Sequence, residues 1–433
     1  MADAHGTPDP DPTHTAELRL EPVGFIARTD VVVRLGSMML GAGASSARVS
    51  DSMLRTAQAV GIEELHSRVG MKDIVSTASR GQMFRTRVAE IRNPAIDADR
   101  LTELKRLTNR LHPGMSAAEV QHELDEIERL PRRYSDIVRV LAAGLACAAF
   151  ALLNNGGWQE FVAVGIAAAA GQTVRMAIHR LRTNEFLVVF ASALTALLVY
   201  LLAAHVFSLL GMPGGQHDAA LTSAVLYLVP GFPLVTGALD LARLDLNSGI
   251  ARVTYAVLIL LATGSAVWGV AAVFDATVTQ TAAPVFAEPL LSVMRLVAGF
   301  VGVFGFAVLF STPWQIAVAA SLLGGLANVG RLALVDAGTM PAVAAAAAAL
   351  TVGIGAFLVG DRLRAARVTL TVPAVLIMVP GAAAYRSIAG VIGGDTLAAI
   401  QNGMQAVFVV VALAIGLTVS RVLTEREWQR PER

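Results

Sequence analysis

The sequence predicts an α-helical polytopic membrane protein of ten spans, built as two inverted five-span repeats with broken helices 4 and 9, plus a small cytoplasmic α+β N-terminal domain. Three observations predict it. Apolar residues make up 55% of the 433 and gather in runs of about 20, the length that crosses a bilayer. Charged residues fall to 15%, against about 25% in soluble domains. The stretch Ile137 to Arg175 matches the stretch 156 residues later, with ten identities in 39 ungapped positions. Two apolar runs also carry a Pro-Gly step in mid-span, at Pro230-Gly231 and Pro380-Gly381.

Residues 1–27 open with MADAHGTPDPDPTHTAEL, polar and rich in Pro and Asp. They lack the basic-then-apolar order of a signal peptide and are read as a disordered tail. Residues 28–134 hold no spanning run and are read as the cytoplasmic domain. DVVVRLGSMMLGAGASSARVSDSMLRTAQAVG suggests two helices around a Gly-rich joint, and KDIVSTASRGQMFRTRVAEI two short strands around Arg80-Gly81. Ser116 and Glu119 have capping-box spacing and open a helix that stops before Pro131. His66, His112 and His122 lack ligand spacing, and GAGASS (41–46) lacks the phosphate-loop pattern. No nucleophile–base set is present, so neither catalysis nor a cofactor is expected, and a membrane enzyme is the weaker reading.

Spans are expected at 137–154, 159–178, 186–210, 219–239 and 250–274 in a first repeat (135–286). The second repeat (287–424) holds spans at 288–311, 314–334, 340–360, 369–388 and 398–422, before a tail at 425–433. Arg132 and Arg133, Arg180 and Arg182, Arg243 and Arg252, Arg362, Arg364 and Arg367, then Arg426, Arg430 and Arg433 fall at one set of ends. The alternate loops GMPGGQHD and FDATVTQTAAPVFAEP carry no Lys or Arg. The positive-inside rule then places both termini in the cytoplasm of an inner cell membrane. A net charge of +1 offers no footprint for nucleic acid, and the single cysteine, Cys147, lies in an apolar run as a packing residue.

The repeat aligns Arg139 with Arg295, Phe150-Ala151 with Phe306-Ala307, Trp158-Gln159 with Trp314-Gln315, and Arg175 with Arg331. An offset of 150 aligns Val229-Pro230-Gly231 with Val379-Pro380-Gly381, and one of 154 aligns Gly249 with Gly403. Five spans per half is odd, so the halves must face opposite ways. Inverted repeats with interrupted helices mark secondary transporters, whose substrate site lies at the interruptions near the midplane. Proline removes a backbone donor and clashes with the preceding turn. The freed backbone groups then need protein or a water-filled cavity. The half-helix after each break presents N–H groups that suit a carboxylate. A kink that only shapes packing is the plainer alternative, but a pair at matching positions favours function.

LVPGFPLVTGALDLARLDLNSGIAR, the later VPGAAAYRSI and the front-end GAGASSARVSDSM resemble the threonine/serine exporter family over nearly the whole chain from about residue 30. The resemblance implies a cytoplasmic domain ahead of ten spans, divided between two chains in some bacteria. It further implies export of threonine and serine driven by the proton motive force, with some relatives linked to dicarboxylates instead. Two positions depart from the family pattern: Ser50 stands where an acid is common, and VPGAAAYRS lacks the extra proline of the first motif.

Pro230, Gly231, Pro233, Pro380 and Gly381 form the expected centre of the substrate site. Thr236 and Asn247 can supply neutral hydrogen bonds, and the repeat mates Gln172 and Asn328 can do the same. Arg331 can grip a carboxylate in bidentate fashion, whereas its mate Arg175, just ahead of IHRLR, reads rather as a side chain snorkelling from a span end. Tyr385 and Arg386 follow the second break closely. Asp240 either carries the coupling proton or is a solvated loop acid paired with Arg243. His205 reads as a packing or interfacial residue. The expected partners are a small amino acid, protons and the bilayer, with a homo-oligomer left open.

Overall fold

The computed structural model describes residues 12–91, 96–181, 183–212, 217–274 and 288–425. Residues 1–11 of the expected tail, Arg182, Arg426, Arg430, Arg433 and most of the two Lys- and Arg-free loops lie outside the described residues. The chain divides into two compact units, one of residues 1–95 and 103–130, the other of 96–102 and 131–433. The segment 96–102, assigned above to the cytoplasmic domain, thus groups with the membrane unit. The Ala98 N–H donates to the Phe310 carbonyl there (2.9 Å).

The first unit contains α1 (Pro12–Gly41), α2 (Ser46–Ala59), β1 (Glu64–Val69), β2 (Asp73–Arg80), β3 (Met83–Glu90), most of α3 (Ala98–Arg110) and α4 (Ala117–Arg129). The helix begins at Pro12, so residues 12–27 are not the irregular tail that their Pro and Asp content suggested. Proline is tolerated in a first helical turn, where its missing N–H would have no acceptor anyway. The strands form an antiparallel sheet in the order β1-β2-β3. The expected hairpin turns at Gly81, whose φ of 55° suits a glycine at the first loop position. Strand β1 was not foreseen, because ELHSRV holds only two apolar residues. Ile74, Ser76 and Ala78 are buried, as are Val32, Leu35 and Met39 of α1 and Met53 of α2, and Ile74 and Met53 both lie against Gly36 of α1. A methyl on Gly36 would overlap the Met53 sulfur, so α1 and α2 cross at that glycine.

Helix α4 docks on α1 through Arg34, which donates to Asp125 (2.5 Å) and pairs with Glu128. The guanidinium holds the Asp125 carboxyl below the usual carboxylate range. Its contribution to stability is therefore present above the unfolded pKa and is lost as pH falls through the lowered native value. The capping box forms as expected. The Glu119 N–H donates to Ser116 Oγ (3.2 Å) and the Ser116 N–H to Glu119 Oε2 (2.9 Å). Ser116→Ala is expected to cost about 1 kcal/mol and to speed hydrogen exchange in the first turn of α4 about fivefold. Unchanged exchange would show that packing alone holds this helix end.

The membrane unit begins with α5 (Asp136–Leu153), α6 (Trp158–His179), α7 (Glu185–Leu209), α8 (His217–Ala224), α9 (Gly231–Ala242) and α10 (Leu246–Phe274). It continues with α11 (Glu288–Leu309), α12 (Trp314–Asp336), α13 (Pro341–Gly360), α14 (Arg367–Leu376), α15 (Gly381–Gly393) and α16 (Thr396–Thr424). Eight of these helices are long and apolar enough to cross a membrane. The pair α14 and α15, bent by 53° at its break, makes a ninth by the same measure. The protein is a polytopic helical membrane protein, with eight to nine membrane-capable helices among the described residues. The run expected at 219–239 splits into α8, a 3-10 turn at Leu226–Leu228 and the twelve-residue α9, because Pro230 stops the helix before it reaches spanning length.

Geometry repeats where identity does not. Asn155 (φ 67°) and Ser311 (φ 57°), 156 apart, both close their helices in the left-handed conformation. The Gly156 N–H donates to Ala151 (2.8 Å) and the Thr312 N–H to Ala307 (2.9 Å), the same turn twice. Further on, Leu244 (φ 63°) and Gly394 (φ 79°) end α9 and α15, 150 apart. Asp245 and Asp395 then cap α10 and α16, which are both 29 residues long. The offset therefore stays at 150 and places Gly249 against Ala399 rather than Gly403. Between α5 and α11, a Cβ on Gly302 would meet Ala146 and Ala149, and one on Gly305 would meet Ala142 and Ala146. Advancing along α11 means retreating along α5, so these two helices are antiparallel, with small residues at their contact. The Tyr134 hydroxyl, just ahead of α5, accordingly donates to the Thr312 carbonyl just past α11 (2.8 Å).

Candidate substrate site at two helix breaks

Pro230 has φ −80° and ψ 60°, and Pro380 has φ −79° and ψ 59°. Those angles define an inverse γ-turn. Accordingly the Gly231 N–H donates to Val229 and the Gly381 N–H to Val379, each at 2.8 Å. The α-helical ladder resumes with Leu234 N–H on Pro230 (3.1 Å) and Ala384 N–H on Pro380 (3.0 Å). In between, the two first turns differ. Pro233 has no N–H, so α9 leaves the Phe232 amide without an intrahelical acceptor, whereas α15 leaves Ala382 and Ala383. The extra proline halves the donors at the first break.

The breaks pack on each other reciprocally. A methyl on Gly231 would overlap Leu376 Cδ1, and one on Gly381 would come within 3.3 Å of Leu226 Cδ1. Leu226 and Leu376 are themselves 150 apart, so each glycine meets the mate of the residue that meets its own mate.

Buried polar groups flank both breaks. A Cβ on Gly171 would overlap the Tyr227 hydroxyl, which donates to the Ser192 carbonyl (3.2 Å), so α6 packs at Gly171 on the turn that leads into the first break, and the buried Gln172 is the next residue. Gly324 abuts the backbone of Ala374. Short connections make α12–α13 and α13–α14 antiparallel neighbours, so α12 and α14 run the same way. Asn328, one turn beyond Gly324, therefore lies beside the second break. Its Oδ1 accepts from Arg331 Nε (2.9 Å). Gln172 Oε1, Asn328 Nδ2, the Tyr385 hydroxyl and Thr371 Oγ1 are buried with no hydrogen-bond partner among the described residues. Leaving such a group bare costs about 1–3 kcal/mol, which a polar ligand or water would recover. Thr371 was not singled out from sequence, since a threonine in an apolar run carries no distinguishing signal.

The remaining expected residues divide. Thr236 is fully buried, but its hydroxyl donates to the Phe232 carbonyl of its own helix (2.8 Å), leaving only its lone pairs for a ligand. Pro233 and Arg386 are half-buried near their breaks. Arg175 and Arg331 are half-buried, and among the described residues neither forms an ion pair with a carboxylate. His205 is exposed. Asn247 does not join the site. It is exposed in the first turn of α10, beyond the far end of α9 and roughly 18 Å along that helix from Gly231.

Asp240 is 1% exposed, so it is not a solvated loop acid. Arg252 Nε of α10 lies 3.3 Å from Asp240 Oδ2, and that side chain is 7% exposed. The mates of this pair, Gly390 and Asn402, carry no charge, and Asn402 donates to Ala398 (2.8 Å). Arg252 lies inside α10, as its position within the apolar run at 250–274 indicates, and not in a connecting loop. Arg367 likewise is buried where it opens α14, donating to Gly353 (2.5 Å), Thr424 (2.7 Å), Glu425 (2.8 Å) and Ser420 (3.1 Å).

A family model described as "Putative threonine/serine exporter" matches residues 30–274, more than half of the chain. The chain belongs to the threonine/serine exporter family. A second model, "Threonine/Serine exporter, ThrE", matches residues 295–423. The chain is 25% identical over 441 residues to "Threonine/serine exporter" of Corynebacterium glutamicum, covering 98% of this chain and 88% of that one. It is 25% identical over 414 residues to "Probable threonine/serine exporter" of Mycobacterium tuberculosis, covering 92% and 75%. It is also 29% identical over 240 residues to "Probable succinate transporter subunit YjjP" of Escherichia coli, covering 55% of this chain and 91% of that one. No solved structure matches. The exporter is thus a multi-pass transport protein, and its family is one of transporters rather than enzymes.

Proposed function

We propose that the protein exports threonine and serine across the cytoplasmic membrane, driven by the proton motive force. The observation that carries this reading is the reciprocal packing of two identically shaped helix breaks, each flanked by buried polar groups without partners among the described residues. In this reading α8 with α9, and α14 with α15, are the fourth and ninth of ten crossings. The halves are inverted repeats, supported by the antiparallel contact of the mates α5 and α11. Both termini face the cytoplasm. The substrate carboxylate meets the amides of Phe232, Ala382 and Ala383, and Gln172, Asn328 and Tyr385 take its other polar groups. Asp240, next to Arg252, exchanges the coupling proton as the site changes sides. The cytoplasmic domain regulates or assembles the transporter, and the word "subunit" in the name of the succinate relative supports assembly.

Labelled threonine in proteoliposomes holding the purified chain tests this. An imposed pH gradient is expected to drive threonine across, and unlabelled serine is expected to compete. A gradient that moves succinate and leaves threonine still would select a dicarboxylate exporter, the reading that the Escherichia coli relative favours.

A further inference from the structure

We propose that Arg175 and Arg331 are carboxylate posts serving opposite faces of the membrane, each working with the buried carboxamide one turn away, Gln172 or Asn328. This rests on the transporter reading and names how its site takes a carboxylate from each side. The two arginines are repeat mates, each 17 positions past the tryptophan that opens its helix, Trp158 or Trp314. Helices α5 and α11 are antiparallel, and each is joined to its successor by a four-residue turn, so α6 and α12 are antiparallel as well. Arg175 therefore stands one turn short of one end of the bundle, and Arg331 one turn short of the other.

Each post reaches inward to a break. Gln172 follows Gly171, where α6 packs on the turn that leads into the first break, and Asn328 lies beside the second break. Both are deeper than their arginines by three residues on the same helix face. Arg331 already grips Asn328 Oδ1 through Nε at 2.9 Å, which leaves the terminal guanidinium nitrogens to face a ligand. Among the described residues neither arginine has a carboxylate ion-pair partner, unlike Arg252 and Arg295, which pair with Asp240 and Asp336. A partly desolvated guanidinium lacking an acid is matched by an incoming carboxylate, which its planar fork binds with two parallel hydrogen bonds. The posts lie roughly 20 Å apart along the bundle by helix rise, so a small molecule meets one at a time. The first receives the carboxylate from the cytoplasm and the second passes it to the outside.

Inside-out and right-side-out vesicles from cells producing the full chain test the assignment. Arg175→Gln is expected to raise the half-saturating threonine concentration tenfold or more at the cytoplasmic face and twofold or less at the outer face. Arg331→Gln is expected to do the reverse. Arg175→Lys and Arg331→Lys, which keep the charge and lose the fork, are expected to show the same sidedness at smaller size and guard against misfolding. Equal effects at both faces, no effect, or a reversed pattern overturns the proposal while leaving transport itself intact. Wild-type vesicles that carry neither threonine nor succinate overturn the transporter reading and this inference together.

Discussion

Asp240→Asn is expected to abolish pH-driven transport and to lower stability by about 3–5 kcal/mol, because it strands the Arg252 charge in a buried position. The cost follows from the asymmetry of buried ion pairs: removing one partner is far worse than removing both. The double variant Asp240→Asn with Arg252→Gln is therefore expected to recover most of the lost stability. The mates Gly390 and Asn402 show that the same helix junction forms without charge. Threonine counterflow, which needs no proton gradient, is expected to return in the double variant, while gradient-driven transport is not. Thermal unfolding in detergent reads the first effect, and labelled threonine with and without a pH gradient reads the second. Gradient-driven transport at the wild-type rate in the double variant would remove Asp240 from proton coupling and leave the pair a packing device.

Gly231→Ala is expected to slow transport at least tenfold, with Gly381→Ala slowing it less than twofold. The two glycines are repeat mates with the same γ-turn before them, yet their surroundings differ. A methyl on Gly231 would overlap Leu376 Cδ1, and Leu376 is only 1% exposed, so it cannot swing aside without displacing its own neighbours. Overpacking of that kind costs about 1–3 kcal/mol. On Gly381 the nearest atom lies at 3.3 Å, which a slight shift accommodates. Combining Gly231→Ala with Leu376→Ala is expected to restore much of the rate. Equal effects of the two glycine substitutions, or no rescue by the double variant, would mean that the breaks do not move against each other during transport.

The helix breaks were legible because their causes are local. A proline stops its own helix whatever surrounds it, and Pro230 and Pro380 do so with backbone angles that agree within 1°. The capping box at Ser116 and the hairpin at Gly81 were legible for the same reason. Residues 12–27 are helical because Pro and Asp are common at helix starts as well as in disorder. Asn247 is close to Pro230 in sequence but not in space, because α9 carries the chain away between them.

From sequence alone came the membrane class, the repeat of Arg139, Trp158 and Arg175 at Arg295, Trp314 and Arg331, the two breaks and the family resemblance. All of these depend on hydropathy, spacing and residue type within short windows. The tertiary structure alone decided that Asp240 meets Arg252, that Arg367 reaches Glu425 across 58 residues, and that Gly231 faces Leu376. It also decided which polar atoms of Gln172, Asn328 and Tyr385 stay buried without a partner among the described residues. Burial and pairing are set by which helices pack together, and in a chain of apolar helices composition hardly distinguishes one packing partner from another. Small residues and buried polar contacts make that choice, and those become visible only when distant parts of the chain are in place.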